Sequence, residues 1–510
     1  MVAEPAVPPE LDALDAAELK RLLTRERSEK EHLKLLVEKL RRMLFGRRSE
    51  KSVPHGDQLS LLAQPEACSA APQPAGTAQE KTHHAVRRRP RSLPAHLRRE
   101  VRTHDPEHTA CPECGGALRK LGEDVSEVLE YVPACFFVIR HVRPKMSCAR
   151  CSWVVQAAAP SRPVDRGMAG PGLLAHVLTA KYADHLPLYR QSQIYARSGV
   201  ELDRSTLARW AGEAGGLLEP LVEALRRYVM SADKLHGDDT PLPVLAPGTG
   251  KTKTGRFWTY VRDARPAGDK SPPAVWFAYS PDRKGEHPQG HLKKFQGILQ
   301  ADAFAGFDKL YADGSIREAP CMAHIRRKFY DLMEASQSPI ATEAVERIRA
   351  LYRIEKQIRG RPAEERRAAR QARARPLFDS MGAWLATALT QVWTKSETAA
   401  AIRYALALWP ALSRYLDDGR IELDNSAAER ALRAVALGRK NYLFAGSDSG
   451  GERAAVFYSL IGSAKLNGLD PELYLRHVLS RIADHPIARI EELLPWNVAR
   501  SLENASRKAA

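Results

Sequence analysis

The stretch Gly297–Phe307, GILQADAFAGF, joins a short apolar run to a carboxylate. Ile298 and Leu299 are typical of a buried strand, and Asp302 follows them. A carboxylate at the end of a strand lies at the rim of a sheet, where a metal ion or a substrate can reach it. An aspartate there is also a common turn former, so the stretch alone does not define a site. Two other stretches place carboxylates at element boundaries: HGDDT at His236–Thr240 and LDNSAAER at Leu423–Arg430.

The chain around these stretches predicts a mixed α/β unit. Runs with a period of two predict strands at Thr240–Leu245, Phe257–Val261 and Ala274–Tyr279. A helical stretch around His291–Phe295 precedes the strand that ends at Asp302. Asp331–Trp409 is predicted to be one uninterrupted helical region, which indicates an all-helical insertion between Asp302 and the last acidic stretch.

Two candidate sites have plainer alternatives. Ser426 and Glu429 have the spacing of a capping box, and Glu429 and Arg433 have that of an ion pair within a helix. Either arrangement explains Glu429 without catalysis. Cys321 and His324 lie one helical turn apart and have ligand chemistry, but no second pair accompanies them in sequence, so a structural role is favoured.

Length and composition indicate several domains and a polyanionic partner. A chain of 510 residues is too long for one core, and 44% hydrophobic residues fit a globular protein. The net charge of +17 and the pI near 9.6 favour nucleic acid as the partner. No apolar run is long enough to predict a membrane span, and the N-terminal residues lack the pattern of a signal peptide.

Residues 1–50 are predicted to contain a leucine-zipper-like coiled coil. Apolar residues alternate at spacings of three and four, although two glutamates weaken the middle of the seam. The alternative is an amphipathic helix packed on its own chain. The seam consists of Leu19, Leu22, Glu26, Glu29, Leu33, Leu36, Leu40 and Met43. Residues 51–100 lack periodicity and are predicted to be a disordered basic linker. Its cluster Arg87–Arg91 suits phosphates, or is a merely solvated charge run.

Residues 101–160 contain two Cys-x-x-Cys pairs, Cys111 with Cys114 and Cys148 with Cys151. Two such turns complete a tetrahedral Zn²⁺ site, and four thiolates leave no open position, so the site is predicted to be structural. The strand-like stretch Val125–Val142 lies between the pairs and predicts the hairpin of a zinc ribbon. Cys135, inside that stretch, is expected to be a core residue.

Residues 161–228 are predicted to be a helical DNA-binding segment. A turn before a helix that begins near Asp203 or Ser205 fits a helix-turn-helix, with Arg204 and Arg209 near DNA. A plain helical hairpin is an equal alternative, because the helix-turn-helix pattern is degenerate. Near the other end of the chain, Arg433, Arg439 and Lys440 form a basic edge beside Glu429 that suits a phosphodiester.

Taken together, these stretches resemble the DDE transposases of bacterial insertion sequences, and closely the insertion sequence 66 family. The resemblance covers essentially the whole chain. It rests on FGRRSEK (Phe45–Lys51), CPECGG (Cys111–Gly116), KYADHLPLYRQ (Lys181–Gln191), LAPGTGKTKTGRFWTYVRD (Leu245–Asp263), ILQADAFAGF (Ile298–Phe307), CMAHIRRKFYDL (Cys321–Leu332), LDNSAAERALRAVALGRKNYLFAGSDSGGERAA (Leu423–Ala455) and LLPWN (Leu493–Asn497).

The resemblance implies a multidomain α+β protein with a coiled coil, a zinc ribbon and a helical DNA-binding segment at its N-terminal side. An RNase H-like α/β catalytic core follows, interrupted by an all-helical insertion. On this division the core covers residues 229–330 and 416–465, the insertion residues 331–415, and a helical C-terminal region residues 466–510.

The resemblance also places the catalytic triad on Asp238, Asp302 and Glu429. Three carboxylates are hard oxygen ligands, which suit two Mg²⁺ or Mn²⁺ ions. The sequence departs from the family at Asp239, where glutamate is usual, and this keeps the choice between Asp238 and Asp239 open. Neighbours on a strand point to opposite faces, so only one of the two is expected to join the site.

The implied function is DNA transposition: binding of the element's terminal repeats and target DNA, metal-dependent hydrolysis and strand transfer. The alternatives are a nuclease without strand transfer and a non-catalytic, zinc-dependent DNA-binding regulator. The expected partners are double-stranded DNA, a second copy of the chain through the coiled coil, and accessory transposition proteins. The expected location is the bacterial cytoplasm, at the nucleoid.

Overall fold

The protein is described here by a computed structural model. It describes residues 97–509 apart from gaps at 107–109, 133–134, 165–166 and 247, together with Leu93, Ala95 and scattered residues between 15 and 37. Residues 51–92 of the predicted linker, including Arg87–Arg91, and the seam positions Leu19, Leu40 and Met43 lie outside the described residues. The last three residues of the predicted linker, 98–100, begin a strand, so the linker ends earlier than predicted. Between 18 and 37 the described residues are helical, and Leu33 and Leu36 are exposed.

A four-stranded sheet carries the two cysteine pairs. Its strands are β1 (Arg98–Thr103), β2 (Leu118–Val132), β3 (Cys135–Cys148) and β4 (Val154–Gln156). β2 and β3 form a long antiparallel hairpin, β1 lies parallel to β3 on its other side, and β4 pairs with the end of β3. The hairpin predicted between the cysteine pairs is therefore present. The prediction for Cys135 was wrong, because this residue begins β3 beside the turn and is exposed.

Three helices follow the first sheet: α1 (Pro171–Tyr182), α2 (Leu188–Arg197) and α3 (Arg204–Met230). α1 is buried around most of its circumference, as expected for a helix that is apolar on all sides. α3 begins after Asp203, although the Asp203 side chain makes no capping hydrogen bond to the helix. Its buried residues, such as Trp210 and Leu218, belong to the same hydrophobic cluster as the second sheet.

The second sheet has five strands: β5 (Lys234–Ala246), β6 (Lys251–Arg262), β7 (Ala274–Ser280), β8 (Gly297–Ala301) and β9 (Ile316–Pro320). Their order across the sheet is β7-β6-β5-β8-β9. β5, β6 and β7 are antiparallel neighbours, whereas β5, β8 and β9 run parallel. The three predicted strands before Asp302 are present. A helix was predicted around His291–Phe295, but the helix α4 spans Glu286–His291 and thus ends where the predicted one begins. The short helix α5 (Asp308–Tyr311) follows β8.

The insertion consists of five helices rather than one uninterrupted helical region. They are α6 (Met322–Ser336), α7 (Pro339–Ile358), α8 (Ala363–Ala369), α9 (Arg375–Gln391) and α10 (Glu397–Asp417). Their apolar faces meet in a second hydrophobic cluster. Arg366 and Arg370 are buried there beside Glu355, and Arg366 also donates to Glu422 at 2.9 Å.

The last part of the chain returns to the second sheet. It contains α11 (Ser426–Tyr442), α12 (Asp448–Leu466), α13 (Pro471–Leu479) and α14 (Pro495–Ala509). α12 covers the edge strand β7, where the Ser459 and Ser463 hydroxyls accept hydrogen bonds from the backbone N–H groups of Phe277 and Val275. These bonds satisfy donors that an edge strand otherwise leaves unpaired. Among the described residues, no helix is both long and apolar enough to cross a lipid bilayer.

Candidate active site and cysteine cluster

Asp238 and Asp302 lie at the same end of two neighbouring parallel strands. In the register of β5 and β8, His236 is paired with Gln300. Asp238 and Asp302 each follow that pair by two residues. Because side chains alternate with a period of two, both carboxylates share the phase of His236 and Gln300. Those two side chains contact the segment that leads into α11, so the carboxylates lie on the α11 side of the sheet.

Asp238 and Asp302 are both largely buried, so ionisation of their carboxyl groups costs free energy. Burial, together with the nearby Asp302, Asp239 and Glu429, raises the pKa of Asp238 to about 8, against one backbone hydrogen bond from Asp239. Burial also raises the pKa of Asp302, Asp239 adds to this, and His324 and Arg283 oppose it. The Oδ1 atom of Asp302 is buried and has no hydrogen-bond partner among the described residues. A bound cation removes the cost of burying such charges, so these carboxylates suit one. Among the described residues, however, the ligand atoms that lie within 4.8 Å of one another around Glu429 are those of Cys321 and His324, and the cluster does not include Asp238 or Asp302.

Asp239 has a different environment from its neighbour. Arg256 Nη1 and Arg283 Nη2 each donate to its carboxylate at 2.8 Å, and its side chain is 1% exposed. The Arg283 guanidinium also lies over the Phe304 ring and 3.9 Å from Asp302. Asp239 is thus neutralised by two cations. The Asp238 carboxylate has no ion pair in the described part of the chain, which favours Asp238 over Asp239 as a metal ligand.

Glu429 lies in the first turn of α11, on the side that faces Asp238. The residue that caps this helix is Asn425 rather than Ser426, and the predicted capping box is not formed. Among the described residues, the Glu429 carboxylate makes no ion pair with Arg433. Both structural alternatives for Glu429 are therefore wrong. Glu429 is instead close enough to Asp238 to raise the pKa of that carboxyl.

Asn425 fastens the start of α11 to the strand that carries Asp238. Its amide nitrogen donates to the Gly237 carbonyl at 2.7 Å, and its amide oxygen lies 3.0 Å from His236 Nδ1. Its backbone N–H donates to Cys321 Sγ at 3.1 Å. Burial lowers the pKa of His236 to about 3, so the ring is neutral and Nδ1 donates to Asn425. This buried contact fixes the position of Glu429 relative to Asp238.

Cys321 and His324 join the same site. Their ligand atoms and a carboxylate oxygen of Glu429 lie within 4.8 Å of one another. Burial raises the pKa of Cys321 to about 12, which keeps it a thiol. His324 Nδ1 is buried and has no hydrogen-bond partner among the described residues. A structural role was predicted for both residues because no second ligand pair accompanies them in sequence. Their neighbour Glu429 lies more than a hundred residues away, and the Cys-x-x-His spacing was the available signal.

The predicted DNA-binding arginines and lysine fall in two places. Arg433, Arg439 and Lys440 follow Glu429 on α11, where Arg433 and Lys440 are exposed and Arg439 is half-buried with a hydrogen bond to the Pro241 carbonyl. Arg204 and Arg209 are exposed in the first turns of α3, and Arg209 pairs with Glu213 at 3.1 Å. The turn between α2 and α3 spans six residues, longer than the three or four typical of a helix-turn-helix.

The four cysteines of the first sheet form one cluster. Cys111 Sγ and Cys114 Sγ each lie 3.4 Å from Cys151 Sγ, and Cys114 Sγ lies 3.5 Å from Cys148 Sγ. Backbone N–H groups of Cys151 and Arg150 lower the pKa of Cys148 to about 6, which favours its thiolate form. With Zn–S bonds of about 2.3 Å, a tetrahedral ion needs four sulfurs at nearly this spacing. The donor set therefore fits a structural Zn²⁺.

Comparison with known proteins gives matches along the chain. The model of the transposase IS66 family matches residues 166–453, that of the zinc-finger binding domain of transposase IS66 matches residues 108–152, and that of the IS66 C-terminal element matches residues 459–496. A fourth model, transposase C of IS166 homeodomain, matches residues 32–102.

Similar proteins of full length occur in Sinorhizobium fredii. The uncharacterized protein y4hP is 43% identical over 92% of this chain and 89% of its own length. The uncharacterized protein y4jD is 40% identical over 91% of this chain and 94% of its own length. Since one family model alone spans more than half of the sequence, the chain belongs to the IS66 transposase family.

Proposed function

We propose that this protein is a DDE transposase in which Asp238, Asp302 and Glu429 bind two Mg²⁺ or Mn²⁺ ions and catalyse cutting and joining of DNA strands. The observation that carries the proposal is the shared position of Asp238 and Asp302 at the ends of adjacent parallel strands, with Glu429 fastened beside them through Asn425. The five-stranded sheet supports an RNase H-like core, because three antiparallel strands are followed by two parallel ones on the other side of β5.

The chemistry of the site suits this reaction. Divalent ions bound by the three carboxylates supply activation of the attacking oxygen and stabilisation of the leaving oxygen in an in-line displacement at phosphorus. Arg433 and Lys440, exposed on the helix that carries Glu429, bind the phosphates on either side of the scissile bond. His324, whose buried Nδ1 has no hydrogen-bond partner in the described part of the chain, is a fourth candidate to hold an ion or to orient the attacking oxygen.

The rest of the chain supports binding of DNA ends by a pair of protomers. The zinc-binding hairpin and the exposed arginines of α3 provide further contacts with DNA, from parts of the chain that precede the three carboxylates in sequence. Leu33 and Leu36, near the N-terminal end of the chain, are 59% and 45% exposed, which suits a seam that a second copy covers. The His32 ring lies 2.8 Å from Glu397 of the same chain, and Leu33 lines a pocket with Trp393, which suits the alternative of a helix packed on its own chain.

Cleavage of DNA that carries the gene's own flanks tests the proposal. We expect Mg²⁺- or Mn²⁺-dependent cutting at the element ends, and a loss of at least ~100-fold in rate for Asp302→Asn, since one lost ligand removes several kcal/mol of charge stabilisation. Asp308→Asn is the matched control, because Asp308 is exposed and lies six residues further along. Cleavage that survives Asp302→Asn contradicts the triad.

The same assay separates the alternatives. Joined products with target DNA indicate a transposase, whereas cut ends that never join indicate a nuclease. Specific binding by wild-type protein without metal-dependent cutting indicates a regulator.

A further inference from the structure

A basic cavity lies at the end of α11 that is distant from Glu429. Its volume is about 250 Å³, and it is bounded by the end of α1, the first half of α3, the end of α11 and the start of α12. Its polar lining combines cations with aromatic hydroxyls: Lys181, Arg439, Arg453, Tyr182, Tyr442 and Tyr458. No acidic residue is among the described residues that line it. The cavity therefore suits an anion.

Two of the cations have no carboxylate partner among the described residues. Within the described part of the chain, no ion pair is formed by Lys181 or by Arg453. Lys181 Nζ lies 5.3 Å from the Tyr182 ring and 5.9 Å from the Tyr442 ring, and burial lowers its pKa to about 8. The nearby Asp448 does not compensate these charges, because it is held by Lys253 at 2.6 Å and by Tyr279.

An apolar rim stands beside the cavity. Leu443 adopts φ = 57°, a left-handed conformation that is strained for a leucine, and its side chain is 64% exposed. Phe444, which lines the cavity, is 41% exposed. Ala445 holds this turn in place by donating to the Pro243 carbonyl at 2.8 Å and accepting from the Leu245 N–H at 2.9 Å. The rim is thus fixed to β5, the strand that carries Asp238.

The cavity is connected to the active site by one helix. Glu429, Arg433 and Lys440 recur at spacings of four and seven residues, so they share one face of α11. Glu429 and Arg439 are ten residues apart, about 15 Å along the axis at ~1.5 Å per residue. Arg439 is rotated by about 80° from that face, toward the buried side of α11. A DNA strand that passes Arg433 and Lys440 therefore reaches the cavity only around the exposed end of the helix at Leu443 and Phe444, roughly four base-pair steps from the carboxylates at ~3.4 Å per step.

We propose that this cavity binds one phosphate of the DNA strand, with the deoxyribose of that nucleotide against Tyr442 and Phe444. The inference rests on the proposed function, because DNA at the carboxylates brings the strand to the cavity. A volume of about 250 Å³ is below the ~300 Å³ at which pockets for whole drug-sized ligands begin, which fits a sugar and a phosphate better than an entire free nucleotide. Lys181 and Arg453 bind the phosphate.

Replacement of single phosphates tests the cavity. Duplexes carrying the gene's flanks are made with one neutral methylphosphonate at each position in turn, and binding is measured without divalent ions. We expect one position, about four steps from the cleavage site, to weaken wild-type binding ~10-fold, as for loss of one charge-assisted hydrogen bond. A methylphosphonate at that position should have no effect on DNA binding by the Lys181→Gln variant. Lys465→Gln, an exposed charge at the other end of α12, should behave as wild type.

The outcomes separate the possible ligands. If the methylphosphonates reduce the DNA affinity of wild type and of Lys181→Gln equally at every position, the inference is overturned. It is also overturned if inorganic phosphate binds in a way that depends on Lys181 while no phosphate of the DNA does. Arg453→Gln, whose parent side chain is exposed, gives the same test if Lys181→Gln does not fold. Because binding is measured, the Asp302→Asn variant should show the same Lys181-dependent loss of binding as wild type. If wild-type protein shows this loss but never cuts DNA, the proposed function is refuted and the assignment of the cavity stands.

Discussion

At the scale of single residues, Asp238 and Asp239 show how neighbours on one strand acquire opposite roles. Asp239 is paired with two arginines, whereas the buried Asp238 is raised to a pKa of about 8 by burial and by other carboxylates. A group with a raised folded-state pKa keeps its proton in the folded chain after the unfolded chain has lost it. Folding stability therefore falls as pH rises from the ordinary aspartate range through about 8.

The first prediction concerns Asp238→Asn in the absence of Mg²⁺ and Mn²⁺. The variant lacks the titrating carboxyl, so its thermal stability should fall less steeply than that of wild type between pH 5 and 8, where one shifted group contributes up to about 1.4 kcal/mol per pH unit. Added Mn²⁺ should stabilise wild type at pH 8 and the variant much less. Melting curves at several pH values measure both effects.

Asp239→Asn is the control for this experiment. It leaves Arg256 and Arg283 without their carboxylate, so we expect a loss of stability over the whole pH range. Identical pH profiles for wild type and Asp238→Asn contradict the assignment of the raised pKa to Asp238.

At the scale of elements, the active site depends on one contact between β5 and the start of α11. Asn425→Ala removes the hydrogen bonds to Gly237 and His236 while leaving the three carboxylates in place. We expect the cleavage rate to fall ~10- to 100-fold, since small errors in position are costly to catalysis, and the Mn²⁺ concentration needed for cutting to rise. The affinity for DNA should be unchanged.

Asn441→Ala is the matched control on the same helix. Asn441 is exposed, and its amide donates only to the Leu437 carbonyl among the described residues. If Asn425→Ala cuts DNA as fast as this control does, Asn425 does not position Glu429.

The cysteine hairpin supplies a second prediction at this scale. A Cβ atom at position 116 meets Cys148 Sγ at 3.2 Å, so that this sulfur must move slightly, and it meets Cys114 Sγ at 3.4 Å. Gly116→Ala should therefore release Zn²⁺ to a chromogenic chelator several times faster than wild type. Gly122→Ala is the control, because a Cβ atom there meets nothing within 4 Å. Equal release rates place the metal elsewhere or show none is bound.

The elements also show what sequence patterns convey. The strands, the hairpin and the place of Asp302 at a strand end were predicted because local periodicity encodes them. The choice of Glu429 as a partner of Asp238 and Asp302 came from the resemblance to IS66 transposases, because its local pattern also fits a helix cap or an ion pair. The proximity of Cys321 and His324 to Glu429 was not predicted, because Glu429 is distant from them in sequence. Arg366 and Arg370 belong to an arginine-rich segment, and their burial could not be predicted from the sequence. It depends on Glu355 and Glu422, which only the folded insertion brings close to them.

At the scale of the whole molecule, the active site joins two hydrophobic clusters. Lys234 of β5 is buried 3.9 Å from Glu422, and Gln300 of β8 donates to the Glu422 carbonyl at 2.6 Å. The sheet and the insertion thus meet beside the carboxylates. Local sequence patterns predicted that protomers assemble through a coiled coil. This assembly is a proposal that rests on the exposed leucines Leu33 and Leu36.

The prediction for assembly is made on the N-terminal helix. Leu33→Asp combined with Leu36→Asp places charges in the proposed seam and should convert a dimer or larger assembly into monomers, as measured by light scattering after gel filtration. Leu473→Asp is the control, because Leu473 is 60% exposed on α13, outside the seam. A wild-type monomer, or an unchanged mass of the double variant, contradicts the coiled coil.

The central claim is that Asp238, Asp302 and Glu429 together bind the catalytic metal. The most direct measurement is an anomalous difference map from crystals of the full chain soaked in Mn²⁺. We expect Mn²⁺ peaks in contact with oxygens of all three carboxylates, and we expect these peaks to be lost in Asp302→Asn crystals. Peaks that avoid Asp238 and Asp302, or a carboxylate cluster without Mn²⁺ at saturating concentration, would contradict it.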